Sequence, residues 1–340
     1  MTARRRTAAP NVSYGPCGGP KRPAGWARNR KNQRMTISSS PYTGARDLRA
    51  MQDLAARLWS PASRRHVGDL AWERHQHTGR EPEWPTRLWR SGGRTVAWGW
   101  IELPGHLDLM VDPACPGLAD EVLTWFAETA PAAPARPAAP GAASPGTGAR
   151  RTVMAASSEP HLLAALDRHG YRRDDTAPWF CHMARELDRL PVPRVPAGYR
   201  LRTVTSADVP ARVLAHRAAF HPSRVTEESY LAVRAAWPYR PDLDWIAEAP
   251  DGSAAAFCLA WLDPSNAAAA IEPAGTAPEH RRLGLARAVC LAALHAAREA
   301  GARRAVVGPR GDDGHPVPGR LYRGLGFEPL ARSDVYRREE

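Results

Sequence analysis

Arg281, Arg282, Gly284 and Ala286 stand between an apolar, strand-like run at 268–271 and an alanine-rich helical segment that reaches residue 300. A strand, a glycine-containing turn and a helix start leave backbone N–H groups unpaired at the positive end of a helix dipole, a setting that suits an anion. Gly284 has no Cβ and lets the backbone approach a ligand closely. The small Ala286 keeps that path open, and Arg281 and Arg282 supply charge-assisted donors for phosphate. The alternative is an ordinary strand-to-helix turn with solvated arginines. Leu285, Val289, Ala292 and Ala296 recur at helical spacing and would fix the helix start against a sheet.

A second group near the C-terminus reads Leu321-Tyr322-Arg323-Gly324-Leu325-Gly326-Phe327. Together with Arg281-x-x-Gly284-x-Ala286 it resembles the GCN5-related N-acetyltransferase (GNAT) family, which binds acetyl-CoA. The resemblance covers residues 197–338 well and 41–190 as an echo of the fold. The tandem arrangement is similar to mycothiol synthase members of that family, although no residue singles out their substrate.

The resemblance implies an α/β (α+β) fold of two tandem GNAT-like domains. Each would be a mixed, mostly antiparallel twisted sheet flanked by helices, with a splayed central strand pair. It implies an acetyl-CoA-dependent N-acetyltransferase that uses acetyl-CoA as co-substrate and no metal, and acts on a small-molecule or peptide amine. Ala274, Gly275 and Thr276 would pair with the pantetheine arm. Arg281, Arg282, Leu283, Gly284, Leu285, Ala286 and Arg287 would hold the pyrophosphate. Tyr322 would protonate the departing thiolate, and Glu272, on the strand beside the acetyl group, would act as base. The alternatives are a core tyrosine packed beside Phe327 and a solvent-facing strand glutamate. A non-catalytic acyl-CoA sensor would share the binding loop but not the turnover. Many family members place an asparagine near 311–315, and this chain has none there. Arg310, Asp312 and Asp313 are candidates for contact with an amine.

These residues need elements to position them. The second half reads as a strand at 199–204, a helix reaching 220, another starting at 226, and strands at 244–249 and 254–262 joined by the hairpin signal Asp251-Gly252. The site strand and helix follow, then a strand at 305–308, a helix at 318–325 and a final strand pair. Pro273 offers no N–H and predicts a bulge in the site strand. The first half reads as a helix from 44 to 64, a turn-rich stretch holding Trp72, Trp84 and Trp89, strands at 94–101 and 106–111, a helix at 118–128, a strand at 152–156, a helix at 160–168 and a strand at 179–187.

Both halves carry the same order of signals, which points to a duplicated domain. Val111-Asp112-Pro113 precedes Gly117 as Thr276-Ala277-Pro278 precedes Gly284, and His169-Gly170-Tyr171 matches Leu325-Gly326-Phe327. The first half lacks the arginine pair and has Leu166 where the second has Tyr322. It reads as a degenerate copy that shapes the substrate site. The domain boundaries are a basic tail at 1–40, a first domain at 41–190 with an Ala/Pro-rich insertion at 129–150, a linker at 191–196 and a catalytic domain at 197–340.

The chain has 340 residues and a formal net charge of +12. Nine of its 47 basic side chains fall within residues 1–34, which hold no acid; the other 38 nearly balance 35 acids. The basicity therefore belongs to the tail, which argues against a nucleic-acid partner for the body. A basic arm, a receptor-read address, or a start placed upstream of a natural one at Met35 would each explain that tail. Five scattered cysteines show neither metal nor disulfide spacing, as expected in the cytoplasm. No apolar run is long enough for a membrane span. The near absence of lysine, with abundant Ala, Gly and Pro, is the bias of a GC-rich, actinobacterial-type genome. Oligomeric state is not legible.

Overall fold

The computed structural model describes residues 36–130 and 150–339. The basic stretch 1–34 and nearly all of the Ala/Pro insertion lie outside the described residues. The first half comprises β1 (Ile37–Pro41), α1 (Ala45–Leu58), α2 (Val67–His75), β2 (Thr86–Ser91), β3 (Arg94–Glu102), β4 (His106–Val111), α3 (Leu118–Thr129), β5 (Arg150–Ala156), α4 (Pro160–Arg168), the two-residue β6 (Arg172–Arg173) and β7 (Phe180–Glu186). The second comprises β8 (Arg200–Thr203), α5 (Val209–Ala219), α6 (Glu227–Ala235), β9 (Asp244–Glu248), β10 (Ala254–Asp263), β11 (Ala268–Thr276), α7 (Leu285–Glu299), β12 (Arg304–Val307), α8 (Val317–Gly324) and β13 (Glu328–Glu339).

The strands form one sheet in the order β1-β2-β3-β4-β5-β13-β7-β12-β11-β10-β9-β8, with β6 paired to β13. Read from its two ends the order is the same pattern twice, β1 to β5 answering β8 to β12. Most neighbours are antiparallel; β4–β5 and β11–β12 are the parallel pairs. The last strand of each half has changed sides: β13 pairs with β5 of the first half, and β7 pairs with β12 of the second. The duplication is thus visible in the topology, but neither half is a closed sheet made only of its own residues.

β10 reads as a continuous apolar run, AAAFCLAWLD, and is buried along its whole length. Such a run requires cover on both faces. Leu285, Val289, Ala293 and Leu294 of α7 join Cys258, Ala260 and Tyr322 in the core on one face. On the other, Val209 and Val213 of α5 and Tyr230 and Val233 of α6 pack with Phe257 and Trp261. Trp72 of α2 enters that same cluster from the first half. Gly68 allows it, because a Cβ there would lie 2.2 Å from the Trp261 side chain.

Three expectations need correction. Residues 37–40, assigned to the tail, belong to β1, whose edge pairs with β2. The helix expected from 44 to 64 ends at Leu58, and the turn-rich stretch after it holds α2, capped by reciprocal bonds between His66 and Asp69. The final strand pair is a single twelve-residue strand, long enough for its first part to pair with β7 and its last part with β5.

Candidate active site

The site forms where β11 and β12 part. Their parallel pairing runs only from Ala268↔Arg304 to Ala270↔Val306. Beyond it, residues 271–276 keep β10 on one side and lose β12 on the other. Opposite Leu259 the register of β10 slips, with Cys258 facing Ala274 and Ala260 facing Ile271, so Glu272 and Pro273 together oppose one residue. This is the bulge that Pro273 predicts, and it sits at the residue proposed as base. The Trp261 indole N–H donates to the Glu272 carbonyl at 2.6 Å and pins the distorted backbone.

The Glu272 side chain is partly buried and makes no hydrogen bond or ion pair among the described residues. It borders two cavities, one of about 270 Å³ and one of about 330 Å³. Burial pushes its carboxyl up to about 8, with the charges of Asp69 and Glu73 adding to the effect and Arg65 opposing it.

After β11 the chain makes a short 3₁₀ turn at Pro278–His280, where the His280 ring meets the Tyr199 hydroxyl at 3.0 Å. Arg282 and Gly284 then adopt left-handed backbone, with φ of 67° and 78°. The amides of residues 282–287 donate to no backbone or side-chain acceptor among the described residues; the first bond of the helix is Ala288 N–H to the Gly284 carbonyl at 3.0 Å. Arg282, Leu283 and Gly284 are exposed, and a Cβ on Gly284 would meet nothing within 4 Å. The turn therefore presents a run of free donors to open space at a helix N-terminus, the geometry of an anion site.

The three arginines of this stretch play different parts. Arg281 reaches back to the carbonyls of Thr276 and Ala219 at 3.3 and 3.4 Å. Arg287 ties α7 to the Gly324 carbonyl at the end of α8. Arg282 has no partner among the described residues and is the free cation of the loop. Ala274, Gly275 and Thr276 lie on the unpaired edge of β11 that leads to it.

Tyr322 lies on α8, 6% exposed, its ring edge-on to Phe327 at 5.7 Å. It shares the core with Cys258 and Cys290. Burial raises its phenol well above the ordinary range, and Cys290, Cys258 and Glu272 add to the shift. The hydroxyl is thus protonated at neutral pH, as a proton donor must be. Arg310 and Asp312 are paired at 2.6 Å and line a different cavity, together with Asp313 beside α8, away from Glu272.

The corresponding turn of the first half is spent. Ala114 N–H donates to the Asp112 side chain, and the amides of Cys115, Leu118, Ala119 and Asp120 each donate to a nearby carbonyl. His161 contacts the Val111 carbonyl at 3.0 Å, at the end of the strand leading to that turn. Asp108, opposite Trp100 on β3, holds the place that Glu272 holds opposite Leu259. It is ion-paired with Arg64 and, at 2.5 Å, with Arg65.

Sequence reasoning missed the first half's share of the 270 Å³ cavity. Arg65, His66, Asp69 and Glu73 line it, as does His182 of β7, whose ring meets Ser333 of β13. Asp69 and Glu73 stand four residues apart, so a helix there would have put both on one face; the stretch read as turns instead.

Residues 211–327 match the acetyltransferase (GNAT) family model. A search of the curated proteins returns no match. Among solved structures, the chain is similar to a GCN5-related N-acetyltransferase from Sphaerobacter thermophilus, with 21% identity, a TM-score of 0.57, and coverage of 89% of this chain and 95% of that one. It is similar to a tandem GNAT protein from the clavulanic acid biosynthesis pathway, solved without AcCoA, at 19% identity and a TM-score of 0.57 over 89% and 98% of the two chains. A GNAT-family acetyltransferase from Colwellia psychrerythraea matches at 12% identity and a TM-score of 0.55, over 89% and 100%. These likenesses establish the fold across most of the chain, and the match over 211–327 locates the family's own domain at the turn and splay just described. Residues 211–327 thus carry the acetyltransferase (GNAT) family match, and the rest of the chain shares the fold of the solved structures named above.

Proposed function

We propose that the protein is an acetyl-CoA-dependent N-acetyltransferase acting on a primary amine. The observation that carries this reading is the run of unpaired amides at 282–287, opening at the end of a strand edge that has parted from its neighbour. A diphosphate would take those amides with Arg282, and the pantetheine amides would pair along 274–276 as a further strand would. The thioester carbon would then lie at the splay, beside Glu272.

A neutral amine attacks that carbon, its nitrogen lone pair forming the new C–N bond as the carbonyl π pair moves to oxygen. Glu272 accepts the proton from the nitrogen, directly or through water. Collapse of the adduct breaks the C–S bond, and Tyr322 gives its proton to the departing sulfur. Holding both reactants in one cleft supplies most of the rate gain. Metal ligation plays no part in this reading. No helix of the described residues is long and apolar enough to cross a membrane.

The test is calorimetry with acetyl-CoA, paired with thiol release across a panel of amines. Binding with turnover supports the reading. Binding without turnover on any amine would favour an acyl-CoA sensor, and no heat from well-folded protein would end it.

A further inference from the structure

The two halves treat a buried guanidinium differently. Asp244 opens β9 and Thr86 opens β2, the strand that answers it in the first half. The two residues hold the same backbone place: the Val204 N–H donates to the Asp244 carbonyl and the Tyr42 N–H to the Thr86 carbonyl, both at 2.8 Å. In the second half Arg212, from α5, is buried and faces the Asp244 carboxyl at 3.7 Å. In the first half Arg74, from α2, donates to the Thr86 hydroxyl instead, at 3.2 Å. Arg74 is 6% exposed and forms no ion pair among the described residues.

A charge out of water is costly unless it is paired. The Arg74 guanidinium carbon lies 4.0 Å from the Tyr42 ring centroid, 5.0 Å from that of Trp100 and 5.7 Å from that of Trp84. Ring faces attract the charge without neutralising it. Arg74 lines a cavity of about 730 Å³ whose one acid, Glu81, is exposed and makes no ion pair with it. Burial lowers the Arg74 pKa from its ordinary value, against smaller opposing effects of Tyr42 and Glu81.

The indoles give a separate observation. Trp84, 3% exposed, lines the same cavity, and its Nε1–H has no hydrogen-bond partner; the Nε1–H of Trp100, packed against the same guanidinium, is unsatisfied too. Buried polar atoms seldom go unpaired. All of these groups are donors, so the chemistry that suits them is an acceptor. A carboxylate is acceptor-only, and its two oxygens match the guanidinium fork. Tyr42, Trp84 and Trp125 give the cavity aromatic walls, and Arg87, 6.0 Å from the Trp125 ring, adds a second cation to them.

We infer that the first half binds a small aromatic carboxylate in this cavity, its carboxylate against Arg74 as Asp244 stands against Arg212, and its ring against the aromatic walls. The cavity shares no lining residue with the two beside Glu272, and the inference is independent of the transferase reading.

The experiment is calorimetry of the full chain with benzoate and with benzyl alcohol, its uncharged analogue. Benzoate is expected to bind at least about tenfold tighter, the scale of one hydrogen bond to a charged group. Equal affinities for the two probes, or no heat from either at millimolar concentration, would overturn the inference, and that comparison needs no variant to fold. Thr86→Asp gives Arg74 the carboxyl that the second half already has. It should weaken benzoate at least about tenfold and raise the melting temperature at neutral pH. Parent-like benzoate affinity in that variant would place the anion elsewhere and overturn the assignment. Should Thr86→Asp not fold, Trp125→Ala, at a partly exposed wall residue, makes the same test: benzoate should weaken, and unchanged affinity would overturn the site.

Discussion

Tyr322 and Leu166 occupy the same place in two copies of one helix end. The Phe327 N–H donates to the Tyr322 carbonyl at 3.0 Å, and the Tyr171 N–H donates to the Leu166 carbonyl at 2.9 Å. Gly326 and Gly170 make the turn in both, with φ of 85° and 77°. Left-handed glycine with a bond reaching five residues back is a common way to satisfy the last carbonyls of a helix. Backbone and cap are thus held constant between the halves while the side chain changes from an alkyl group to a phenol, and only the second half keeps its amides free.

That contrast makes the hydroxyl, not the helix, the quantity to test. Tyr322→Phe should retain acetyl-CoA affinity within about twofold by calorimetry and lower the turnover number by roughly 10²–10⁴, the range of general acid–base contributions. Parent-like thiol release on every amine would remove Tyr322 from the chemistry.

Gly284 tests the anion turn. A side chain there meets nothing of the protein within 4 Å but sits at φ 78°, which costs an L residue about 1–2 kcal/mol. Gly284→Trp should therefore leave a folded protein with a modestly lower melting temperature. Its affinity for acetyl-CoA should fall by more than about tenfold, because the indole occupies the space before the amides. Unchanged affinity in that variant would mean that the cofactor lies elsewhere.

Glu272 sets a pH dependence. Its folded carboxyl is raised to about 8 from an ordinary value of 4.5. As a base it works only when ionised, so kcat/KM for an amine should climb as pH rises through about 8, and Glu272→Gln should flatten that limb. Stability runs the other way. A carboxyl whose folded pKa is raised favours the folded state when protonated, so its contribution is full below about 4.5 and is lost as pH rises toward 8. Glu272→Gln should accordingly gain stability relative to the parent at pH 9 compared with pH 5, as read by denaturant midpoints.

The exchanged strands predict that the halves depend on each other. Residues 36–190 alone would lack β13 against β5, and residues 197–340 alone would lack β7 against β12. Each would expose an unpaired strand edge, a template for association. Separate expression should give aggregated or oligomeric material by sedimentation, and co-expression should recover a one-to-one complex. Two monomeric, cooperatively melting halves would contradict the exchange.

Local chemistry was legible in the chain. The turn with Gly284, the bulge at Pro273, the helix cap at Gly326 and the buried helical face of α7 all follow from residue types a few positions apart. The echoes of the turn and of the helix cap in the first half followed from the same short-range signals. What those signals do not carry is long-range pairing. β13 and β5 are joined by backbone hydrogen bonds between residues almost two hundred positions apart, and an alternating strand does not encode which edge it will meet. The same holds for the cavity beside Glu272. Asp69 and Glu73 reach the wall of that cavity only when Gly68 lets α2 close on Trp261, so the acid that the sequence offered as a base gained its neighbours, and its raised pKa, from the packing of one half on the other.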